Sequence, residues 1–532
     1  MPPEHRRVIV ASSLGALFGW YDFYLYGVLA PVLAGVYFAN AGDPAGVVLT
    51  LLAFAAGFVV RPIGALLFGR LGDLIGRKYT FLVTLLLMGV ATFAVGLLPG
   101  HATLGAAAPA LLVALRVLQG LAIGGEYGGV ATYVAEHAPA HRRGFYTSWV
   151  QTTASLGLLL ALLVVVGLRA LLGEAAFADW GWRLPFLLSA ALLAIGVWVR
   201  LSLQESPMFR RLKTAGGASR APLAEAFGRW RRLRRVLLAL FGLVAGQAVV
   251  WYTGQFQALF FLTLQLKVDA TTASLLMAVA LALAAPLFVG FGALSDRVGR
   301  KPVVFGGMLL AALAWTPLFQ ALTQAAHPAL AEAHARVRTT LTAPPASCGW
   351  QLDVLAAGSA SRSGCDIAQR VLAERAVRYT RIDGDGPAVV RIGAASVALD
   401  PRDASAPARL AAAVDAAGYP ARADPARIDH VRVVAILFVL VALVAMVYGP
   451  LAAMLVEMFP TRLRCSSVSL PYHIGNGWFG GLLPSAAFAI AAHTGNLYAG
   501  LGYGIVIALG SAALGVLFLR ETRGTDLETL DP

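Results

Sequence analysis

A polar loop that occurs twice in an otherwise hydrophobic chain constrains the fold more than any other feature of this sequence. Segment 69–78 reads Gly-Arg-Leu-Gly-Asp-Leu-Ile-Gly-Arg-Lys, and segment 292–301 reads Gly-Ala-Leu-Ser-Asp-Arg-Val-Gly-Arg-Lys. Each copy lies between two long apolar stretches. A repeat of this kind indicates two homologous membrane-embedded halves.

A second repeat shows where the halves differ. Glu136 and Arg143 recur as Glu457 and Arg464, at a larger offset than the first repeat. The second half therefore carries an insertion between its copies of the two loops. Composition places it at about 325–430, where apolar residues give way to balanced charge.

The composition is that of a membrane protein. Hydrophobic residues make up 58% of the chain, charged residues 13%, and the mean hydropathy is +0.72. About a quarter of the residues of a soluble protein are charged, so an apolar soluble enzyme is disfavoured. Runs of about 20 apolar residues predict twelve transmembrane helices. These spans are 8–38, 47–69, 80–98, 107–135, 146–170, 185–204, 237–264, 272–293, 303–324, 431–457, 466–493 and 498–520.

The predicted fold is an all-α membrane protein of two six-helix halves with a small α+β insertion between helices 9 and 10. The predicted domains are an N-terminal half 1–204, a linker 205–236, a C-terminal half 237–324 and 431–520, the insertion 325–430 and a tail 521–532. In the insertion, helices are predicted at Asp366–Tyr379 and Ala406–Gly418, and a turn is predicted at residues 381–386.

The distribution of basic residues predicts the orientation. If the N-terminus is cytoplasmic, the inner segments hold most of the arginines and lysines, including nine in the linker, whereas the short outer loops hold only Arg183 and Lys267. This asymmetry favours cytoplasmic termini and an insertion outside the membrane. It explains the net charge of +14 through contact with anionic lipid, and no nucleic-acid partner is expected. Outside the cell, Cys348 and Cys365 are predicted to form a disulfide, the alternative being two free thiols.

Several motifs resemble those of the major facilitator superfamily. Besides the duplicated loop, Arg116-Val-Leu-Gln-Gly resembles its second motif. Segments 20–27, 61–65, 124–129 and 471–477 are similar to the metabolite:proton symporter family, which carries proline/betaine, 2-oxoglutarate, citrate and shikimate. The resemblance covers nearly the whole chain except the insertion. It implies a secondary transporter in the bacterial inner membrane.

Two departures from familiar patterns bear on mechanism. Family members usually have Glu before Trp20, where this chain has Gly19, so coupling would depend on Asp22 or follow another route. Span 146–170 contains no proline and so lacks the Gly-Pro motif typical of antiporters, which favours symport or uniport.

Few ionisable residues lie deep in the spans, where charge is costly. Their depths predict two pairs, Asp22 with Arg116 and Arg61 with Glu126. These four residues are the candidates for proton coupling, since a carboxyl group in a low-dielectric cavity can carry a proton. The alternative is that the pairs only hold helices together.

The second half offers amides and aromatic rings rather than charges. Such groups can hold a small polar solute by hydrogen bonds and stacking, although packing alone explains any single ring equally well. The candidate substrate-binding residues are Tyr21, Tyr24, Gln119, Gln151, Gln247, Tyr252, Gln255, Tyr448, Tyr472, His473 and Asn476.

The duplicated loops are predicted to act as a gate rather than as a binding site. Glycine permits tight turns, and aspartate can accept hydrogen bonds from a helix N-terminus. Contacts of this kind would hold one access state and break in the other. The candidate gate residues are Gly69, Asp73, Gly76, Arg77, Asp296, Gly299 and Arg300.

The favoured function is proton-coupled symport that imports a small organic acid or zwitterionic metabolite by alternating access. The alternative is a membrane sensor whose outer domain binds a ligand. No enzymatic activity, metal or other cofactor is expected, because neither a catalytic constellation nor a nucleotide-phosphate loop is present in the sequence. The expected partners are substrate, protons and the lipid bilayer, and the protein is expected to be a monomer.

Overall fold

The computed structural model describes residues 3–38, 56–201, 210–211, 214, 221–349 and 363–527, with backbone only at residues 3–8, 31 and 77. Long helices dominate. In the first half they are α1 (Pro3–Val28), α2 (Arg61–Leu74), α3 (Arg77–Leu97), α4 (Ala107–His137), α5 (Arg143–Leu172) and α6 (Leu184–Leu201). In the second half they are α7 (Trp230–Gln265), α8 (Ala270–Val298), α9 (Arg300–Ala326), α10 (His430–Val456), α11 (residues 464–494) and α12 (Leu501–Phe518).

Within the described residues, nine helices are long and apolar enough to cross a membrane. These are α3 to α10 and α12, and the twelve-helix count stays a prediction. The predicted span 8–38 is divided in the structure between α1 and a short helix, Ala30–Tyr37. The predicted span 47–69 begins outside the described residues.

The two halves meet through two helix pairs. Helix α5 of the first half packs along α8 of the second, and α2 packs along the first part of α11. Small residues make these approaches possible. A Cβ on Gly292 would lie 2.5 Å from Ser148 Cβ, and a Cβ on Gly69 would lie 3.2 Å from Ser466 Cα. The interface therefore relates α5–α8 and α2–α11 as equivalent pairs.

Helices α7 and α11 depart from regular α-helix. Helix α7 contains three π-helical turns, Leu240–Val244, Thr253–Gln257 and Phe261–Gln265, and α11 contains one at Gly475–Gly480. A π-helical turn adds a residue to the helix and often occurs at functional sites. Both helices carry predicted substrate-binding residues next to or within these turns.

The region between α9 and α10 folds as an α+β unit. Its sheet has the strand order β2-β1-β3-β4, with β1 Thr339–Ala343, β2 Thr380–Asp383, β3 Ala388–Ile392 and β4 Ala395–Leu399. Strands β1 and β2 are parallel, and the other pairs are antiparallel. Helices Gly364–Glu374 and Ala406–Ala416 pack against each other and the sheet. The prediction of a turn at 381–386 is wrong for residues 381–383, because these residues pair with β1 and form part of β2.

This unit is joined to the helix ends. The backbone N–H of Tyr379 donates to Gly495 O at 3.0 Å, and Tyr379 Oη donates to the carbonyl of Ala492. Ala423 N donates to Lys267 O at 3.3 Å. The unit therefore contacts the end of α11 and the loop that follows α7. In its interior, the Sγ atoms of Cys348 and Cys365 are joined in a disulfide.

Candidate functional site

Arg61, the first residue of α2, lies fully buried among aromatic rings. Its guanidinium carbon is 5.0 Å from the ring centre of Phe23, 5.2 Å from Phe58 and 5.6 Å from Trp20. Its Nη1 lies 3.5 Å from Tyr252 Oη. The Nε and Nη2 atoms are buried and have no hydrogen-bond partner among the described residues. These two nitrogens form one edge of the guanidinium plane and so present a free two-donor fork.

A stack of rings connects the first half to the second beside this cation. Tyr24 of α1 stacks on Trp20 at 5.3 Å and on Trp251 of α7 at 5.6 Å between ring centres. Phe256 meets Tyr24 edge to face at 5.2 Å. Trp251 Nε1 is buried and has no acceptor in the described part of the chain. The structure thus brings together the predicted residues Tyr24 and Tyr252 in one cluster, which also contains Phe256, a residue that was not predicted.

A second set of rings continues the cluster into α11. Tyr448 Oη and Tyr472 Oη are 2.7 Å apart, and Tyr127 of α4 lies parallel to Tyr472 with ring centres 3.3 Å apart. His473 is fully buried, and within the described residues neither ring nitrogen has a hydrogen-bond partner. Two hydroxyl groups and an unsatisfied imidazole therefore add polar groups to an aromatic wall.

Four of the predicted amides bond within the second half or link it to the first. Gln247 and Asn476 exchange hydrogen bonds, with Asn476 Nδ2 donating to Gln247 Oε1 at 3.1 Å and the reverse contact at 3.4 Å. Gln255 donates to Ser155 Oγ at 2.8 Å, which links α7 to α5. Gln151 donates to a backbone carbonyl of α10 at 3.0 Å. The reciprocal pair ties α7 to α11, next to the π-helical turn of α11.

Three predicted residues make hydrogen bonds inside the first half. Tyr21 donates its hydroxyl to Pro185 O at 2.8 Å. Arg116 donates to Gln119 Oε1 at 2.7 Å, and Gln119 donates in turn to Thr92 Oγ1 at 2.7 Å. These hydrogen bonds hold first-half helices to one another.

Asp22 is buried, and its carboxylate accepts a hydrogen bond from Ser189 Oγ of α6 at 2.7 Å. The predicted pair with Arg116 is wrong. Arg116 instead packs its guanidinium over the rings of Phe23 and Tyr26, at 4.6 and 4.4 Å. Depth along a helix axis gave the level of each group but not the side of the helix on which it lies. No cation contacts the Asp22 carboxylate within the described chain.

Glu126 pairs with Arg200, whose Nη2 lies 3.2 Å from Glu126 Oε1, and the predicted pair with Arg61 is wrong. Glycines of α1 leave the space for this pair. A Cβ on Gly19 would lie 2.5 Å from Glu126 Oε2, and one on Gly15 would lie 2.3 Å from Arg200 Nη2. The Glu126 carboxylate thus stands against the position where the resemblance leads one to expect a glutamate. Arg200 was missed, although an arginine at the end of an apolar span was a signal for it.

Both copies of the duplicated loop bind the first turn of a helix in the opposite half. Asp73 accepts hydrogen bonds from the backbone of Cys465 and Ser466, at 3.2 and 3.0 Å. Asp296 accepts them from Gly144 and Phe145, at 2.9 and 2.7 Å. Carboxylates at helix N-termini are stabilised by free N–H groups and the helix dipole. The two aspartates therefore hold the halves together on one face of the bundle.

The backbone conformation explains why the loops contain glycine at two positions. Gly76 has φ 121° and Gly299 has φ 108°, which are values that only glycine adopts without strain. Arg300 bonds to Asp296 Oδ1 at 2.7 Å, whereas the side chain of Arg77 lies outside what the structure describes. Each predicted gate residue with a described side chain therefore contributes to a turn or to a contact between elements.

Buried ion pairs between the halves reinforce these loops, and sequence reasoning did not assign them to the gate. Arg464 Nη1 lies 2.8 Å from Glu136 Oε1, and Arg143 Nη1 lies 2.8 Å from Glu457 Oε1. Arg300 also pairs with Glu457, at 3.2 Å. The second sequence repeat contained the signal, because it aligned both glutamates and both arginines.

The chain is similar to known transporters. A family model described as "Sugar (and other) transporter" matches residues 8–226. The alpha-ketoglutarate permease of Escherichia coli is 38% identical over 327 residues, which cover 61% of this chain and 74% of that protein. The proline/betaine transporter of Salmonella typhimurium is 36% identical over 322 residues, covering 58% of this chain and 63% of the relative, less than two thirds of its length.

Solved structures show the same fold. The proton:xylose symporter XylE bound to 6-bromo-6-deoxy-D-glucose superimposes with a TM-score of 0.62 at 18% identity, covering 99% of this chain and 98% of that chain. The relatives are permeases and transporters rather than enzymes. The chain therefore belongs to the major facilitator superfamily, as a membrane transporter related to bacterial metabolite carriers.

Proposed function

We propose that the protein imports a small metabolite bearing a carboxylate, an organic acid or a zwitterion, together with protons. The observation that carries this proposal is the free edge of Arg61. A buried cation without hydrogen-bond acceptors is costly, so a ligand that supplies them gains stability. A carboxylate matches the Nε and Nη2 donors with two parallel hydrogen bonds.

The surroundings of Arg61 support a small ligand of mixed character. Tyr24 and Trp251 offer ring faces, while His473 and Trp251 offer polar atoms that lack partners among the described residues. Ligand sites usually combine apolar walls with a few placed polar groups. The names of the relatives agree with such a ligand, since alpha-ketoglutarate, proline and betaine all carry a carboxylate.

For the coupled proton, we propose Asp22 as the carrier. A buried carboxylate is costly when charged and not paired with a cation. Its contact is a neutral hydroxyl, that of Ser189, whereas Glu126 is paired with Arg200. Asp22 can therefore change its protonation state without breaking an ion pair. Glu126 is the fallback carrier.

The substrate site is tested by thermal unfolding of the purified protein with alpha-ketoglutarate, proline and betaine as probes. We expect at least one probe to raise the unfolding temperature, because a ligand that binds the folded state stabilises it. Arg61→Lys keeps the charge but loses the two-donor fork, and should weaken binding by about tenfold or more. Arg116→Lys is the matched control, since Arg116 bonds to Gln119. Equal losses in both variants would contradict the proposal.

We also propose that the termini are cytoplasmic and that the α+β unit lies outside the membrane, in agreement with the positive-inside distribution. An impermeant maleimide on intact cells should label Cys348 and Cys365 only after reduction. Labelling without reduction would argue against the disulfide, and no labelling in either state would contradict the topology. A sensor remains the alternative, but the relatives, which are named as transporters, give it no support.

A further inference from the structure

A basic cleft lies where the beginning of α7 meets the beginning of α11. It is lined by Arg232, Arg235, Phe459, Arg462, Leu463 and Ser467, and it encloses about 60 Å³. A volume of that size holds roughly four water-sized groups. We call it the arginine cleft.

The cleft has more hydrogen-bond donors than acceptors. Glu225 is the carboxylate that faces it, and its Oε2 lies 3.9 Å from both Arg232 Nη1 and Arg462 Nη1. Arg462 Nε is buried without an acceptor among the described residues. Arg235 has neither a hydrogen bond nor an ion pair within the described chain. Among the residues that the structure describes, three guanidinium groups thus face one carboxylate.

We propose that the arginine cleft binds a phosphate group, presented either by the headgroup of an anionic phospholipid or by soluble phosphate. Guanidinium groups match tetrahedral phosphate oxygens with paired, charge-assisted hydrogen bonds. The Ser467 hydroxyl adds a donor of the kind found in phosphate sites. The number of oxygens on a phosphate group suits the number of donors better than a single carboxylate does.

The position of the cleft puts it within reach of a membrane surface. Trp230, at the start of the long apolar helix α7, is 68% exposed. Tryptophan at the end of a membrane span lies at the level of the lipid headgroups. Clusters of arginine beside a span attract anionic lipid. The lipid source therefore fits both the charge and the height of the cleft.

An occupant would connect the cleft to the gate. Ser467 follows Cys465 and Ser466, the residues whose backbone N–H groups bond to Asp73. A phosphate bound by Arg235 and Arg462 would link the first turns of α7 and α11 beside that contact. The site is thus distinct from the cluster around Arg61.

The test uses the full chain in neutral detergent, with thermal unfolding as the readout. Three probes are added separately: phosphatidylglycerol, a diacylglycerol with the same acyl chains, and inorganic phosphate. We expect phosphatidylglycerol or phosphate to raise the unfolding temperature in a saturable way and diacylglycerol to leave it unchanged. Stabilisation by phosphatidylglycerol alone would identify lipid as the source, and stabilisation by inorganic phosphate would identify a soluble source. Either result supports the phosphate site.

Substitutions inside and outside the arginine cleft test whether the stabilising probe binds there. Arg235→Gln and Arg462→Gln should each weaken the stabilising probe by about tenfold or more. Arg231→Gln and Arg234→Gln remove the same charge from the same helix outside the cleft, and should change it by less than about twofold. Arg235 is exposed, so Arg235→Gln should fold normally. This variant therefore tests the proposal even if Arg462→Gln does not fold. Equal losses in all four variants, or no stabilisation by either phosphate-bearing probe, would overturn the proposal.

Discussion

The two copies of the duplicated loop make the same kind of contact with the opposite half. Asp73 bonds to the first turn of α11, including Ser466 Oγ at 2.7 Å, and Asp296 bonds to the first turn of α5. Asp296 is also bound by Arg300. Each loop therefore fastens its own half to a helix of the other half.

The second copy is further supported by the segment that follows α12. Thr522 Oγ1 donates to Glu457 Oε2 at 2.8 Å, and Glu521 accepts from the backbone of Arg300 and Lys301 at 2.9 and 3.0 Å. Duplication accounts for the shared geometry of the loops. The comparison shows that the repeat sets two equivalent contacts and that the chain after α12 takes part in the second of them.

Away from the ion pairs beside the duplicated loops, the interiors of the halves differ in chemistry. The first half holds further buried charges, among them Asp22, Glu126 and Arg200. The second half holds the amide pair of Gln247 and Asn476 and the π-helical turns of α7 and α11. We propose that the first half carries the proton while the second supplies the flexible part of the substrate site.

The largest expected effect is that of removing the proposed proton carrier, which should stop coupling but not substrate exchange. Asp22→Asn should abolish uphill accumulation of substrate in proteoliposomes under an imposed pH gradient, because an amide cannot release a proton, while substrate exchange continues. Ser189→Ala keeps the carboxyl group and should reduce accumulation only in part. If the Asn variant still concentrates substrate, Asp22 is not the coupling residue, and Glu126→Gln becomes the variant to examine.

The second prediction concerns the buried ion pairs beside the duplicated loops. Glu457→Gln should lower the free energy of unfolding by about 3 kcal/mol or more, because it leaves Arg143 and Arg300 buried without their shared carboxylate. Glu136→Gln is the matched change in the first half, where Glu136 pairs with the buried Arg464. Chemical unfolding in one detergent compares both. An unchanged free energy of unfolding in Glu457→Gln would contradict a stabilising role of these ion pairs.

Those parts of the fold that follow from local rules could be predicted from the sequence. The turns at Gly76 and Gly299 need positive φ, and the helix-capping role of Asp73 follows from its place in a short loop. Pairings between side chains of different helices could not be predicted, because tertiary packing decides which side of each helix faces its neighbour. Arg200 reaches Glu126 only because Gly15 and Gly19 leave room on α1, a relation between three helices.

Some short or irregular elements were also beyond sequence reasoning. Strand β1 has five residues, and both of its partners lie beyond a helix in the chain, so only tertiary pairing defines it. The π-helical turns of α7 have no proline to signal them. The candidate substrate site was predicted in part for a related reason: the residue types were visible, but which faces of α1, α4 and α7 meet was not.

A smaller effect concerns the gate loops themselves. Asp73→Asn and Asp296→Asn should each slow turnover several-fold while leaving equilibrium binding of substrate nearly unchanged, because the loops lie away from Arg61 and stabilise one access state. Asp296→Asn also weakens a charged contact with Arg300. Transport rates and binding measured on the same preparations decide this. A large loss of affinity with normal turnover would place the aspartate in the binding site.

The smallest effect tests the segment after α12. Burial raises the pKa of Glu521, but hydrogen bonds from the backbone of Arg300, Arg523, Lys301 and Thr522 outweigh it and leave the pKa below its usual 4.5. A lowered pKa means that this carboxylate stabilises the folded protein above pH 4.5 and that the contribution is lost as the pH falls through the lower, folded-state value.

Glu521→Gln should therefore lower stability at pH 7 by about 1 kcal/mol, a value reduced by solvent screening of an exposed group. The difference from the unsubstituted protein should shrink as the pH falls below 4.5. Glu174→Gln is the control, because that exposed carboxylate pairs with Arg169 away from the gate, at 3.1 Å. Unfolding curves at several pH values measure both variants. A Glu521→Gln deficit that is constant with pH would show that the segment acts through packing rather than through this charge.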